Sequence, residues 1–428
     1  MSSDWPLKPL GRVANEVTVG YVGPMASEYV ESGIPFLRSL NIEPFGVNKN
    51  DLKFVTREFH QRIKKSSLRP GDVAIVRTGK PGTCAVIPDW LKEANCSDLV
   101  LVRCGEKLRP RFLCYWVNSI ASHHISSHTV GAVQQHFNVG AAKTMLVAVP
   151  SLKMQDEVIT VLSCLDDRIT LLRETNATLE AIAQALFKSW FIDFDPVRAK
   201  MAGRAPEGMD EATAALFPDG FEVSDLGLIP RGWCVDSVYS AAKVIYGAPF
   251  ASAQFNVDGI GKPLIRIRDL RDESPSIYTQ EAHPKGYMVQ PGDVVVGMDG
   301  EFRAYLWGGE ECWLNQRVCV FAPQQGFSAA YVRSSIIPML ARVEASETAT
   351  TVIHLGKNDI DRFKIVIAEK RVREAFGLVA DPLYQRIVVS KQLIRTLTDL
   401  RDTLLPRLIS GRLRLSELQD QVEEAIAA

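Results

Sequence analysis

Arginine, asparagine and glutamine side chains follow strand-like segments at matching places in the two halves of this 428-residue chain. In the first half, Arg-Thr-Gly-Lys at 77–80 follows an apolar run, and Met-Asp-Gly-Glu-Phe-Arg at 298–303 follows the matching run in the second. Such forked side chains pair with guanine and adenine edges in the major groove of DNA, and lysines suit phosphate contacts. Taken singly, each loop is more simply an ordinary solvated surface loop. Recurrence in two copies favours nucleic acid binding.

We expect DNA contacts from polar side chains in these loops and in the turns that match between the halves. In the first half the candidates are Arg38, Lys64, Lys65, Arg77, Thr78, Lys80, Gln134, Gln135 and His136. In the second half they are Arg266, Arg268, Asp299, Arg303, Asn315, Gln316, Arg317 and His354.

The charge distribution agrees with local rather than global binding of an anion. The net charge is −1, yet the stretch 57–80 carries seven basic residues against two acids. After Leu415 the tail carries four acids and no base. A charge run usually marks a solvated face, but a basic patch on a neutral chain is also consistent with a protein that binds an anion at particular loops.

Signatures of catalysis are missing from the sequence. No glycine fingerprint opens a helix after a strand, and there is no Asn/Asp-Pro-Pro-aromatic tetrapeptide of an amino-methyltransferase. Pro-Asp occurs at 88–89 and 218–219, without the Asp/Glu-x-Lys that a restriction-type nuclease needs. His123, His124 and His128 lack a cysteine or carboxylate at ligand spacing, so we favour polar loop histidines over a metal site. We therefore expect a non-catalytic chain without bound metal.

Composition places the chain among ordinary globular proteins of two or three domains. Hydrophobic residues make up 46% and charged residues 23%. No apolar run approaches the roughly 20 residues that a membrane helix needs, and the first residues lack a signal-peptide pattern. We expect a cytoplasmic protein. The eight cysteines form no C-x-x-C pair, which predicts free, mostly buried thiols.

Two long stretches carry apolar residues at spacings of four and three, which predicts long helices with a stripe that seeks a partner. The first runs over 165–195 and has Asn176 at an inward position. The second starts at 383, and an offset of 218 aligns about thirty residues without a gap. A long core helix of a globular domain is the simpler alternative. The expected stripe residues are Leu165, Ile169, Leu172, Asn176, Leu179, Ile182, Leu186, Phe187, Trp190, Ile387, Ile394, Leu397, Leu404 and Leu408.

The repeat extends upstream of the helices. Leu-Arg-Pro-Gly-Asp-Val at 68–73 matches Val-Gln-Pro-Gly-Asp-Val at 289–294, and Pro-Phe-Leu-Arg at 35–38 matches Pro-Leu-Ile-Arg at 263–266. Strands are predicted near 72–76, 99–102, 145–150, 293–296, 317–321 and 363–367. The chain is therefore expected to contain two pseudo-repeated α+β half-chains, each a mixed domain followed by a long helix. Because each helix leaves one domain and returns to the other, the pair should run antiparallel.

The predicted boundaries follow from this repeat and from Gly and Pro density. The first mixed domain is assigned to 1–151, its helix to 152–195 and a Gly- and Pro-rich connector to 196–232. The second mixed domain is assigned to 233–368, its helix to 369–411 and an acidic tail to 412–428. Gly411 should end the second helix.

Three motifs resemble the specificity subunits of type I restriction–modification systems, which serve host defence. These are Ala-Leu-Phe-Lys-Ser-Trp-Phe-Ile-Asp-Phe-Asp at 185–195, Leu-Leu-Pro-Arg-Leu-Ile-Ser-Gly at 404–411 and Gly-Leu-Ile-Pro-Arg-Gly-Trp at 227–233. The resemblance implies two target-recognition domains separated by an antiparallel coiled coil, each reading one half of a bipartite DNA site. Helices of about 38 residues, at roughly 1.5 Å each, would act as a ruler about 57 Å long.

The same resemblance implies the partners and cofactors. Two methyltransferase subunits would supply S-adenosylmethionine chemistry, and two motor-nuclease subunits would use ATP and Mg²⁺ for cleavage. The chain itself would bind no cofactor. Base contacts do not carry over, because recognition domains in this family vary widely. At Asn-Cys-Ser-Asp, 95–98, the chain departs from the Asn-Gln pair of its second half at 315–316.

Two other functions remain open at this point. In the first alternative, the chain is a coiled-coil adaptor that never touches DNA. In the second, it is a DNA-modifying enzyme with an unrecognised active site. A salt-dependent gel shift separates the first from a DNA reader, and methyl transfer by the purified chain alone would identify the second.

Overall fold

Two long helices and two mixed domains account for most of the computed structural model. It describes residues 4–121, 125, 137–346 and 353–415. Two structural units divide the chain: unit 1 holds the described residues of Met1–Arg168 and Leu397–Ala428, and unit 2 is Ile169–Thr396. The helices are Arg57–Arg62, Pro110–Trp116, Val139–Thr144, Leu152–Phe191, Asp195–Met201, Glu211–Ala215, Ala329–Ser346, Lys357–Ile360 and Lys370–Ser410.

The domain of unit 1 is built on two main sheets. The first is four-stranded, in the order Cys84–Val86, Val73–Val76, Leu99–Cys104 and Ala14–Val19. The second is five-stranded, in the order Tyr29–Val30, Lys53–Val55, Ile34–Leu37, Ala94–Cys96 and Ser67–Leu68. Two-stranded pairs join Leu7–Pro9 to Leu146–Ala148 and Ile42–Glu43 to Gly46–Val47.

The domain of unit 2 repeats this strand order. Its four-stranded sheet runs Ala304–Leu306, Val294–Gly297, Val318–Pro323 and Ala242–Tyr246. Its five-stranded sheet runs Phe255–Asn256, Tyr278–Thr279, Lys262–Ile265, Cys312–Leu314 and Met288–Val289. Two-stranded pairs join Cys234–Ser237 to Lys364–Ile367 and Phe221–Ser224 to Gly227–Pro230. The strands predicted from the sequence are confirmed, with ends shifted by one or two residues.

The repeated Pro-Gly-Asp-Val motif forms the same turn in both domains. Gly71 and Gly292 take positive φ values of 86° and 98°, which favour glycine because it has no Cβ. Asp72 then accepts a hydrogen bond from the amide of Arg69 at 3.0 Å, and Asp293 accepts one from the amide of Gln290 at 2.9 Å. The motif is thus conserved between the halves as a turn that starts a central strand.

The long helices pair antiparallel. In unit 1, Asp166 near the middle of the first helix meets Arg401 near the end of the second, at 3.0 Å. In unit 2, Phe191 at the end of the first helix packs on Phe376 near the start of the second, with ring centroids 5.1 Å apart. The second helix ends at Ser410, and Gly411 follows with a φ of 82°. The prediction that Gly411 ends it is confirmed.

Most stripe residues are buried or half-buried, with one correction. Ile169, Leu172, Phe187, Trp190, Ile387 and Leu408 are buried. Leu165, Asn176, Leu179, Leu186, Ile394, Leu397 and Leu404 are half-buried. Ile182 is 45% exposed, and Ala183 is buried in its place. The prediction for Ile182 was wrong because the four–three spacing, continued from Leu179, reaches Ala183 and not Ile182.

The segment assigned as a connector, 196–232, contains regular structure. The helix Asp195–Met201 and the hairpin Phe221–Ser224 with Gly227–Pro230 lie in it. Val197, Phe217 and Ile229 belong to the hydrophobic core of unit 2, together with Trp190 and Trp233. Gly and Pro density marked its turns, whereas the apolar residues between them build a core.

All eight cysteines are free, and five are buried, as the spacing predicted. Burial raises the pKa of Cys104 and Cys319 to about 12, so these thiols stay protonated at neutral pH. The described residues contain no helix that could span a membrane.

Candidate nucleic acid interface

In unit 2, three polar side chains converge where the two central strands of the four-stranded sheet end and begin. Gly297 pairs with Val318, so the loops after the first strand and before the second lie side by side. Asp299 accepts a hydrogen bond from, or forms an ion pair with, His354 Nδ1 at 2.6 Å, and Arg317 Nη1 lies 3.5 Å from the same carboxylate oxygen. We call Asp299, Arg317 and His354 the second strand-end site.

Solvent reaches this site unevenly. The side chains of Arg317 and His354 are 55% and 46% exposed, whereas Asp299 is 24% exposed. The acid therefore lies behind the two more exposed side chains. Chemically, the arrangement presents the guanidinium fork of Arg317 to an external acceptor, with the imidazole of His354 beside it.

Unit 1 has an equivalent site, since Val76 pairs with Leu99 as Gly297 pairs with Val318. Asp98 accepts hydrogen bonds from Thr78 and from Ser39, the latter at 3.3 Å. Arg77 Nη1 lies 3.9 Å from the other carboxylate oxygen, and its Nε donates to the carbonyl of Phe137 at 3.2 Å. We call Arg77, Thr78 and Asp98 the first strand-end site.

The two sites carry their charges in reversed positions. In unit 1, Arg77 follows the first of the two paired strands and Asp98 precedes the second. In unit 2, the acid Asp299 follows the first strand and the base Arg317 precedes the second. Exposure reverses too, because Arg77 is 17% and Asp98 43% exposed. The sequence search for Arg, Asn and Gln missed Asp98. The signal in the sequence that could have found Asp98 is an acid directly before a predicted strand. In the structure, Asp98 lies in a turn between two strands and has a φ of 56°.

The departure noted at 95–98 is explained by the strand pairing. Ser97 bridges to Tyr21, as Asn315 bridges to Ala248, so Ser97 rather than Asn95 is the counterpart of Asn315. Asn95 is fully buried and donates to the carbonyl of Ile63 at 3.3 Å. The loop of unit 1 is one residue shorter than that of unit 2. In unit 1 one strand ends at Cys96 and the next begins at Leu99, whereas in unit 2 they end and begin at Leu314 and Val318.

Arg38 and Arg266 have internal partners in equivalent turns. The backbone amide of Arg38 donates to Asn41 and that of Arg266 to Asp269, both at 3.0 Å. The guanidinium of Arg38 holds the pKa of Asp51 at about 2 through a hydrogen bond of 2.8 Å. With side chains only 20% and 22% exposed, these two arginines stabilise turns next to the candidate interface.

The remaining candidates are surface side chains. Lys64, Lys65, Lys80, Arg268 and Gln316 are exposed, and Asn315 is half-buried. Arg303 is exposed and paired with Glu344 at 2.8 Å.

Some sequence-based candidates lie outside the described residues. They are Gln134, Gln135 and His136, and also His123, His124 and His128. Among the described residues, no group of three or more His, Cys, Asp or Glu could hold a metal ion.

Comparison with known proteins gives relatives of one kind. The chain is 30% identical over 196 residues to the type I restriction enzyme EcoBI specificity subunit of Escherichia coli, covering 45% of this chain and 41% of that protein. It is 23% identical over 432 residues to the MjaIX specificity subunit of Methanocaldococcus jannaschii, covering 97% and 95%. The match thus spans less than half of the E. coli relative. No family model matches the chain.

A solved structure shares the fold. The type I restriction–modification S subunit from M. genitalium aligns over 95% of this chain and 96% of its own, with a TM-score of 0.53 at 13% identity. These findings confirm the resemblance to type I specificity subunits. They also confirm the fold class, an α+β chain with two mixed domains and a long antiparallel helix pair.

Proposed function

We infer that this chain is the specificity subunit of a type I restriction–modification system, and we propose that each mixed domain reads one half of a bipartite DNA target. The observation that carries the proposal is the pair of strand-end sites, in which one scaffold, used twice, holds charged side chains in reversed positions. Bases are distinguished by their pattern of donors and acceptors. A repeated scaffold with unlike polar groups therefore suits two half-sites of unlike sequence.

Phosphate contacts would come from exposed cations of both domains. Lys64, Lys65 and Arg268 are exposed, and no ion pair of theirs occurs among the described residues. Such contacts position a protein on DNA without reading sequence. They also make affinity fall steeply with salt.

The long helices carry features suited to docking other subunits. Large apolar side chains on them stay exposed, and exposed apolar patches mark protein–protein interaction sites. We propose that two methyltransferase subunits cover these faces and use S-adenosylmethionine, and that two motor-nuclease subunits use ATP and Mg²⁺. The chain itself would bind none of these cofactors and catalyse no step. The exposed residues are Leu171, Ile182, Leu378, Val379, Val389, Leu393 and Leu400.

The helices are also proposed to set the spacing of the two half-sites. Adding one heptad to each helix, in register, keeps the apolar stripe aligned and adds roughly 10 Å. The half-site sequences should persist while their spacing grows, or activity should vanish. New bases at the old spacing would contradict a ruler.

One experiment tests the proposed function as a whole. The chain is expressed with its methyltransferase partner, and methylated motifs are mapped by long-read sequencing. We expect one bipartite motif, and a gel shift by the complex that weakens with salt. A chain that joins other proteins but neither shifts DNA nor directs methylation would instead be an adaptor. Methyl transfer by the chain alone would make it an enzyme.

A further inference from the structure

We propose that the two strand-end sites read G·C pairs through different bases: Arg317 contacts a guanine in one half-site, and Asp98 contacts a cytosine in the other. This inference rests on the proposed function and assigns the base that each site recognises. Arginine forks pair with guanine O6 and N7, and a carboxylate accepts from cytosine N4. The unlike exposed groups of the two sites thus suit the two different bases of a G·C pair.

The geometry of the second strand-end site favours Arg317 as the reading group. Its guanidinium is the most exposed of the three side chains, and its contact with Asp299 at 3.5 Å uses one nitrogen. The other nitrogens remain available to an acceptor pair. Among the described residues, its side chain has no other ion pair.

Asp299 acts as a positioning residue in this arrangement. His354 holds its carboxylate at 2.6 Å, and the backbone of the loop is fixed by Met298, whose amide donates to the carbonyl of Arg317 at 2.9 Å. A guanidinium held by a fixed carboxylate loses less side-chain entropy when it binds than a free one would.

In the first strand-end site the roles are exchanged. Arg77 is mostly buried, its Nε donates to the carbonyl of Phe137 and its Nη1 faces Asp98, so little of its guanidinium is open to an external acceptor. Asp98 is 43% exposed, and hydrogen bonds from Thr78 and Ser39 orient its carboxylate. An acid near a phosphate backbone is repelled by it, and Arg77 behind Asp98 lowers that cost.

A simpler explanation is that both pairs only lock neighbouring loops together. A loop lock and a base reader differ in one observable, the identity of a single base in the methylated motif. Loss of a lock lowers stability or activity on all sequences. Loss of a reader makes one position of one half-site degenerate.

The test uses the full chain with its methyltransferase partner. Arg317→Ala should make one guanine of one half-site degenerate, leave the other half-site unchanged, and weaken binding to the cognate site about 5- to 150-fold. Arg317→Lys keeps the charge without the fork and should lose discrimination at the same guanine. Asp299→Ala should act at that position, and the double variant should be no weaker than Arg317→Ala. Arg268→Ala is the matched control and should weaken binding to all sequences alike.

For the first site, Asp98→Asn replaces an acceptor by an amide, which pairs with adenine N6 and N7. The motif should change at one cytosine, towards adenine, in the half-site that Arg317→Ala leaves intact. Thermal denaturation of each complex checks folding. If Arg317→Lys and Asp98→Asn fold and methylate the unchanged motif, the assignment is overturned while the proposed function stands. If the wild-type complex neither binds nor methylates a bipartite motif, the proposed function itself fails.

Discussion

The two mixed domains share a strand order but contact the long helices through different side chains. In unit 1, Asp166 accepts a hydrogen bond from Tyr115 at 2.6 Å and one from Arg401 at 3.0 Å. In unit 2, Arg333 reaches from the domain to Glu180 and also donates to the carbonyl of Ala304 at 2.6 Å. The acid belongs to the first long helix in both units, but its cationic partner comes from the second helix in one and from the domain in the other.

This difference teaches which parts of a repeat are constrained. Strand order and turns persist, since a register shift would move buried residues to the surface. Polar contacts are free to change partners if every buried group remains paired. Arg401 also lies over the ring of Phe45, 4.8 Å from its centroid, a contact between the second helix and the domain. The two units thus pack a domain of the same strand order against the long helices through different ion pairs.

The largest expected effect comes from removing the acid in each unit. Asp166→Ala should lower the free energy of unfolding by about 2–3 kcal/mol, because it leaves the mostly buried hydroxyl of Tyr115 without its acceptor and leaves Arg401 with only the exposed carboxylate of Asp402. Glu180→Ala should cost less, about 1–2 kcal/mol, since Arg333 keeps the carbonyl of Ala304. Urea denaturation combined with hydrogen–deuterium exchange in each unit measures both. Equal losses would show that the two contacts are equivalent after all.

The next comparison concerns the aspartates of the repeated turn. Burial raises the pKa of both Asp72 and Asp293, but Asp72 faces Arg103 at 3.5 Å, whereas Asp293 accepts from the neutral Tyr287 at 3.0 Å. At neutral pH, Asp72→Asn should cost about 1–2 kcal/mol, and Asp293→Asn should stay within about 0.5 kcal/mol.

The pH dependence of stability gives a sign to check. The folded-state pKa of Asp293 lies above its unfolded value, so its contribution is fully present below the unfolded pKa and is lost as pH rises through the folded one. Asp293→Asn removes this dependence. As pH rises from 3 to 7, the unfolding free energy of the wild type should therefore fall relative to that of the variant. A shift in the opposite direction would mean that the carboxylate is stabilised in the fold.

Sequence patterns predicted the repeat, the strands and the helix stripe because these depend on local spacing of apolar and turn residues. Spacing does not show which partners surround a side chain. Arg38 and Arg266 stay predicted interface residues, and the fold adds that Asp51 and Ser276, 13 and 10 residues away, bind their guanidinium groups. Asp98 was missed because its role depends on Thr78 across two strands. Spacing shows where a side chain starts, and only the fold shows which groups surround it.

The smallest expected effect separates the helix pair into two stretches. In unit 1 the polar group at the seam, Asp166, has partners. In unit 2, Asn176 Oδ1 and Ser390 Oγ are buried without a hydrogen-bond partner among the described residues. A buried polar atom without a partner costs about 1–3 kcal/mol, and replacing it by an apolar group of similar shape removes that cost.

Asn176→Leu should therefore raise the free energy of unfolding of unit 2 by about 1 kcal/mol, and it should also relax the register of the helices, because a polar residue at the seam disfavours alternative pairings. Thr178→Ala, an exposed site two residues further along, is the control and should change stability by less than about 0.5 kcal/mol. Exchange rates of helix amides in unit 2 report both effects. Slower exchange with a single pattern of protection would show that Asn176 costs stability without setting register. Faster exchange would show that the side-chain amide of Asn176 has a hydrogen-bond partner. The polar groups between the helices would then be satisfied in both units.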